Sequence, residues 1–216
     1  MRKYDILLFD LDGTLTEPAE GITNSVAYAL KKFGIEPPNR QELYKFIGPP
    51  LIQSFQKFYG FPHDKAELAV KYYREYFADK GIFENKIYDG IPKLLQDLKN
   101  EGYRLVVATS KPQPFAERIL QKFNLIDFFE RVFGATMDET RTEKAEVIYY
   151  ALQELNVKDL SRVVMIGDRE NDILGANENG IQSIGVLFGY GSRSELEAAG
   201  ATQIAQTVQD IAKILI

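Results

Sequence analysis

Two carboxylates one residue apart, Asp10 and Asp12, close a short apolar run and lead into Gly13 and Thr14. At the C-terminal end of a strand, where open α/β sheets place their ligands, two such acids can take different tasks. An ionised Asp10 can attack phosphorus. A protonated Asp12 can supply a proton to the leaving oxygen and later withdraw one from water. Gly13 permits the tight turn that lets both reach one substrate. The same residues also read as a strand-ending turn with exposed acids, since the motif is short. An EF-hand fits less well, because the loop lacks the further ligands and the bidentate Glu that calcium requires.

A second acidic cluster, Gly167-Asp168-Arg169-Glu170-Asn171-Asp172, also follows an apolar run. Asp168 and Asp172 could present carboxylates across one turn of chain, or could simply cap a helix N-terminus. Carboxylate oxygens converging from two parallel strands would form a hard oxygen site suited to Mg²⁺, which also contacts substrate phosphate. The metal answers a specific difficulty, the approach of an anionic nucleophile to an anionic phosphoryl group. Asp10 and Asp168 are the expected ligands, and Asp172 is a further candidate.

Positive charge must come from the protein. Lys144, near the start of a helix after the strand-like Arg131 to Gly134, is the better placed candidate, though a lone Lys is usually a solvated surface charge. Thr109-Ser110-Lys111-Pro112 offers hydroxyls and backbone N–H groups at a strand end before a helix, either a phosphate cradle or an ordinary cap.

These residues need a scaffold, and the apolar pattern supplies one. Ile6 to Phe9, Leu105 to Ala108, Val163 to Ile166 and Ser183 to Val186 are short runs of the kind that form strands covered on both faces of a parallel sheet. Helical patterns alternate with them at Ile91 to Glu101, Pro114 to Phe123, Glu143 to Leu155 and Asn171 to Asn179. Val208 to Ile216 reads as an amphipathic helix and Gly189 to Ser194 as a loop. The alternation predicts an α/β core, doubly wound around a mainly parallel Rossmann-like sheet.

From about Glu20 to Lys80 the pattern is helical instead, with candidate helices at Gln41 to Phe46, Leu51 to Phe58 and Asp64 to Phe77. Residues 16–84 therefore read as a small helical domain inserted into a core of residues 1–15 and 85–216. Its aromatic residues, among them Phe55, Phe58, Phe61, Tyr73 and Phe77, suit a small core better than a stacking surface at this spacing.

Composition narrows the function classes. A net charge of -5 over 216 residues, with no basic run, argues against a nucleic-acid or anionic-membrane surface. The absence of Cys and the single His63 remove disulfide, thiolate and His-based zinc chemistry. No signal or membrane-spanning pattern appears, so the default expectation is a cytoplasmic protein, monomeric or homodimeric.

Taken in order, strand-Asp10-Leu11-Asp12-Gly13-Thr14, strand-Thr109, Lys144 and Gly167-Asp168 through Asp172 resemble the four motifs of the haloacid dehalogenase superfamily across nearly the whole chain. The helical insertion looks like that superfamily's mobile cap, as in phosphoglycolate phosphatases and β-phosphoglucomutases. The resemblance implies that Asp10 forms an aspartyl-phosphate and Asp12 is the acid/base. It implies that Thr109 and Lys144 bind the phosphoryl group, and that Asp168 and the Asp12 main-chain carbonyl complete a Mg²⁺ site. Dehalogenases of the superfamily do not share the second aspartate, so phosphoryl transfer is the expected chemistry. Thr109 to Pro112 is closer to the phosphoglycolate phosphatase group than to the mutases, and Phe83 to Tyr88 resembles bacterial members assigned as phosphoglycolate phosphatases or 5′-nucleotidases. Gly48, in Phe46-Ile47-Gly48-Pro49-Pro50, is expected to meet substrate by similarity to the specificity loop, or to be just a helix-breaking turn. A phosphoglycolate, nucleotide or sugar phosphate is the implied substrate. Transfer to a second sugar hydroxyl, as in a phosphoglucomutase-like enzyme, and a non-catalytic metabolite-binding module on the same fold are the alternatives.

Overall fold

The structure, a computed structural model, describes residues 2–138 and 140–216. The chain divides into two compact units, Met1–Glu17 with Ile87–Ile216, and Pro18–Lys86. The crossings thus fall after Glu17 and Lys86 rather than after residues 15 and 84.

The larger unit is built on a six-stranded sheet of β1 (Ile6–Phe9), β4 (Arg104–Pro112), β5 (Arg131–Ala135), β6 (Val163–Gly167), β7 (Gln182–Val186) and β8 (Gln203–Ala205). Their order in the sheet is β5-β4-β1-β6-β7-β8. The two-residue strands β2 (Thr16–Glu17) and β3 (Lys86–Ile87) stand at the crossings. All paired neighbours in the six-stranded sheet are parallel, with Phe9 opposite Val107 on one side and Ile166 on the other. The chain runs outward from β1 through β4 to β5, then returns to β6 on the other side of β1. The switch point therefore lies at the carboxyl ends of β1 and β6, where this architecture forms its crevice.

The apolar runs form strands because both faces are covered. On one face Ile6, Leu8, Val106, Ala108, Val163 and Met165 share a buried cluster with Val147, Ile148, Ala151 and Leu152 of α6 (Lys144–Glu154). The alternate residues Leu7, Phe9, Val107, Val164 and Ile166 are buried as well. Helices α4 (Ile91–Asn100), α5 (Gln113–Lys122), α7 (Glu170–Glu178) and α9 (Val208–Leu215) follow the expected alternation within a residue or two.

Three features depart from the sequence expectation. β4 continues past Thr109 to Pro112, with a register shift between those residues. Arg193 and Ser194 belong to a short helix, α8 (Arg193–Ala198), rather than to a loop. Ser192 accepts a hydrogen bond from the Glu195 N–H at 3.1 Å, a cap whose Ser-x-x-Glu signal is present in the sequence. β8 has no apolar alternation to announce it.

The smaller unit contains α1 (Ala19–Lys32), a 3₁₀ stretch at Arg40–Phe46 where a helix is expected, α2 (Leu51–Tyr59) and α3 (His63–Phe77). Phe46, Phe55, Phe61, Tyr73 and Phe77 are buried in its core, whereas Phe83 is exposed. Phe55 stacks on Phe61 with ring centroids 6.0 Å apart and meets Phe46 edge-on at 5.0 Å, and Tyr73 stacks on Phe77 at 5.4 Å.

Candidate active site

Asp10 is the first residue beyond β1, and its N–H donates to the Ile166 carbonyl at 2.9 Å, tying it to the end of β6. The chain then turns tightly, with the Gly13 N–H donating to the Thr16 carbonyl at 2.8 Å. Gly13 stands at φ +89°, and a Cβ there would fall on the Asp168 carboxylate. Only glycine satisfies both the left-handed backbone and the close approach.

Asp168, fully buried, follows β6 directly. The Tyr190 N–H donates to its Oδ2 at 2.8 Å, and the Thr14 hydroxyl lies 3.4 Å from its Oδ1. Asp172 sits in the first turn of α7, where its Oδ2 accepts from the Arg169 N–H at 3.0 Å. It is therefore a helix cap and a site carboxylate at once.

Lys144 opens α6, and the tilt of a helical side chain toward the N-terminus sends it back toward the residues at the carboxyl end of β1. Only 4% exposed, its ammonium meets Asp10 Oδ1 at 2.7 Å, Asp172 Oδ1 at 2.8 Å and the Ala108 carbonyl at 3.0 Å. The solvated-surface alternative for this lysine is thereby removed. Glu146 helps fix the helix start by accepting from the Thr142 and Glu143 N–H groups.

The register shift in β4 sets Ser110 and Lys111 out of step with β5, a bulge that re-aims side chains beside the crevice. Thr109 Oγ1 accepts from the Lys111 N–H at 3.2 Å. Lys111 Nζ lies 2.6 Å from Asp12 Oδ2, and both side chains are almost entirely covered. Asp12 Oδ1 and Ser110 Oγ are buried and have no hydrogen-bond partner among the described residues.

An oxygen from each of Asp10, Asp168 and Asp172 lies within 4.8 Å of the others. Their crowding perturbs protonation. Burial pushes the Asp168 carboxyl well above its usual range, and the charges of Asp172 and Asp10 add to the effect. Burial raises Asp172 to about 6 against the pull of Lys144. Burial also raises Asp12, with Lys111 opposing. For Lys144 burial works against the charge, but Asp10 and Asp172 outweigh it and hold the ammonium above its usual value. With all groups ionised, four acids face two lysines, leaving two negative charges uncompensated. Hard, buried oxygen donors with that excess charge fit a divalent cation such as Mg²⁺.

The structure thus brings together Asp10, Asp12, Gly13, Thr109, Ser110, Lys111, Lys144, Asp168 and Asp172. The Asp12 carboxylate stands apart from the three-acid group, engaged by Lys111. Gly48, at φ +104°, belongs to the helical unit, between buried Ile47 and the Pro49-Pro50 entry to α2. Sequence reasoning missed the Gly189-Tyr190-Gly191 segment. A Cβ at either glycine would collide with Asp168, and the Tyr190 hydroxyl donates to Glu17 at 2.8 Å. Two glycines one residue apart after a buried strand were the available signal of close backbone approach.

Residues 7–186 match a family described as haloacid dehalogenase-like hydrolase. A 5′-nucleotidase of Pseudomonas aeruginosa is 45% identical over 213 residues, 99% of this chain and 96% of that protein. The tyrosine-protein kinase PtkA of Mycobacterium tuberculosis is 37% identical over 212 residues, 97% of this chain and 72% of that protein. Among solved structures, a predicted phosphatase from Clostridium acetobutylicum superposes with a TM-score of 0.96 at 49% identity, covering 98% of this chain and 97% of that one. Among the described residues, no helix is long and apolar enough to cross a membrane.

Proposed function

Because the chain belongs to the haloacid dehalogenase-like hydrolase family, we propose that it is a Mg²⁺-dependent phosphatase that hydrolyses a small phosphate monoester through an aspartyl-phosphate on Asp10. The observation that carries this reading is the Asp10 carboxylate, buried at the switch point, held 2.7 Å from Lys144 and grouped with Asp168 and Asp172.

In the first step an Asp10 oxygen attacks phosphorus as the bond to the leaving oxygen breaks. Asp12 gives its proton to that oxygen. In the second, Asp12 takes a proton from water, whose oxygen attacks phosphorus and frees Asp10. Lys144 fixes the Asp10 carboxylate and balances charge on the phosphoryl oxygens, and the Thr109 and Ser110 hydroxyls complete the cradle. Asp10, Asp168 and the Asp12 main-chain carbonyl would hold Mg²⁺, with Asp172 beside them. When bound, the metal offsets the repulsion between nucleophile and phosphoryl group.

The substrate is a small phosphorylated metabolite in the cytoplasm, without nucleic acid or membrane. Nucleoside 5′-monophosphates head the candidates, supported by likeness to the P. aeruginosa 5′-nucleotidase. Phosphoglycolate and sugar phosphates follow. Residues 18–86 act as the cap, and the Gly48 loop contributes to substrate choice. The mycobacterial kinase supports a second reading in which a hydroxyl replaces water as acceptor.

The test is a panel of nucleoside monophosphates, phosphoglycolate and sugar phosphates with Mg²⁺, compared by kcat/KM, with products identified. Free phosphate is the expected product. Phosphate moved onto a second hydroxyl would favour the transferase, and no turnover on any substrate would remove the enzymatic reading.

A further inference from the structure

Every donor and acceptor of a working acid must be accounted for, and at Asp12 the two oxygens have separate fates. Oδ2 is held 2.6 Å from Lys111 Nζ. Oδ1 is buried and has no hydrogen-bond partner among the described residues. A buried carboxylate oxygen without a hydrogen bond is costly, and persists where it faces a group that arrives later. The contact with Lys111 engages one oxygen of the Asp12 carboxylate and leaves the other on the opposite side; a half-turn of the group would restore the same arrangement.

Lys111 can make that contact because of where β4 shifts register. Thr109 is still opposite Gly134 and Pro112 opposite Ala135, so Ser110 and Lys111 fill two positions where β5 offers one step. An unbulged strand would carry Lys111 forward in the pleat instead. This lysine is distinct in position from Lys144, whose ammonium is committed to Asp10, Asp172 and the Ala108 carbonyl.

We propose that Lys111 is a positioning residue for proton transfer: it anchors Asp12 by Oδ2 so that Oδ1 alone faces the leaving oxygen. The proposal rests on the phosphatase reading above. In aspartyl-phosphate formation the Asp10 oxygen–phosphorus bond forms and the bond from phosphorus to the leaving oxygen breaks. The proton on Oδ1 passes to the leaving oxygen, and Lys111 stabilises the carboxylate left behind. In hydrolysis, a water oxygen bonds phosphorus, the Asp10 bond breaks, and the water proton returns to Oδ1. The bulge thus serves the leaving group, whereas Lys144 serves the nucleophile.

A lysine that merely binds phosphate would matter equally for every monoester. One that positions the acid matters only when the leaving group needs a proton. The experiment therefore measures kcat/KM, which covers steps through aspartyl-phosphate formation, for phenyl phosphate and 2,4-dinitrophenyl phosphate, substrates of similar size. Dinitrophenolate departs without protonation and phenolate does not. Lys111→Met is expected to lower kcat/KM for phenyl phosphate by roughly 100-fold, the scale of general acid catalysis, and for the dinitrophenyl ester by less than about tenfold. Lys111→Arg, which keeps a cation within reach of Oδ2, is expected to restore most of the ratio between the two substrates.

Equal losses on both esters in Lys111→Met would overturn the proposal and leave Lys111 a phosphate ligand. Should that variant not fold, Lys111→Gln repeats the comparison with the same two outcomes. Wild-type protein inactive on both esters and on the metabolite panel would instead remove the phosphatase reading itself, a different failure.

Discussion

Asp10 and Lys144, 134 residues apart in the chain, meet with Oδ1 and Nζ 2.7 Å apart, both side chains buried. The same ammonium touches Asp172, so a single cation joins the end of β1 to the start of α7.

Replacing Asp10 with Asn keeps shape and removes the nucleophilic charge. Turnover is expected to fall by roughly 10³-fold or more, as for removal of other covalent nucleophiles. Phosphate release measured with Mg²⁺ present checks this, and undiminished release would exclude covalent catalysis through Asp10.

Lys144→Met leaves Asp10 and Asp172 buried without their cation. Breaking a buried pair from one side costs about 3–5 kcal/mol, so urea unfolding at pH 7 should show a loss on that scale together with lost turnover. A change under about 1 kcal/mol would mean that the lysine is not structural.

Mg²⁺ should stabilise the protein, by about 2.7 kcal/mol at a hundred times its dissociation constant, because it binds the folded state alone. Asp168→Asn should abolish that gain in a thermal melt. Without metal its effect has the opposite sign. The fold raises the Asp168 carboxyl above its usual value, so its contribution is favourable below the unfolded-state value near 3.8 and is lost as pH climbs through the folded one. At pH 7 the metal-free Asn variant should therefore be at least as stable as the parent.

Gly13→Ala places a methyl on the Asp168 carboxylate and forces φ +89° on an L-residue. Backbone strain alone costs about 1–2 kcal/mol. Displacement of Asp168 should weaken Mg²⁺ binding further, measured by titration calorimetry. Unchanged affinity would show that the Asp168 position tolerates the contact.

Acid should reveal a separate pair outside the site. Arg162 grips Asp5 through Nη2 at 2.8 Å and Nε at 2.9 Å and, with Arg2, lowers its carboxyl to about 2. A depressed carboxyl stabilises above the unfolded value near 3.8, and the benefit disappears as pH falls through about 2. The pair is partly exposed, so the effect is at most about 1 kcal/mol. Asp5→Asn should flatten stability over that window in denaturant titrations at stepped pH.

Much of the sheet could be read from the chain, because strands covered on both faces must be apolar throughout and helices between them must show one apolar stripe. β8 escaped, since Gln203-Ile204-Ala205 is too short and too polar to alternate visibly. α8 escaped although its Ser192 cap was in plain view.

At the site, the sequence by itself determined which acids and lysines were available and that Asp10 and Asp168 stand at strand ends. Spacing along one chain carries that information because a strand's end fixes where its next residue emerges. Tertiary structure alone decided the pairings: Lys144 with Asp10 and Asp172, Lys111 with Asp12, and the Tyr190 N–H on Asp168. The two lysines are chemically identical in the sequence. One begins a helix that crosses the sheet and the other lies on a strand bulge, and only parallel pairing with its register shift sets which carboxylate each can reach.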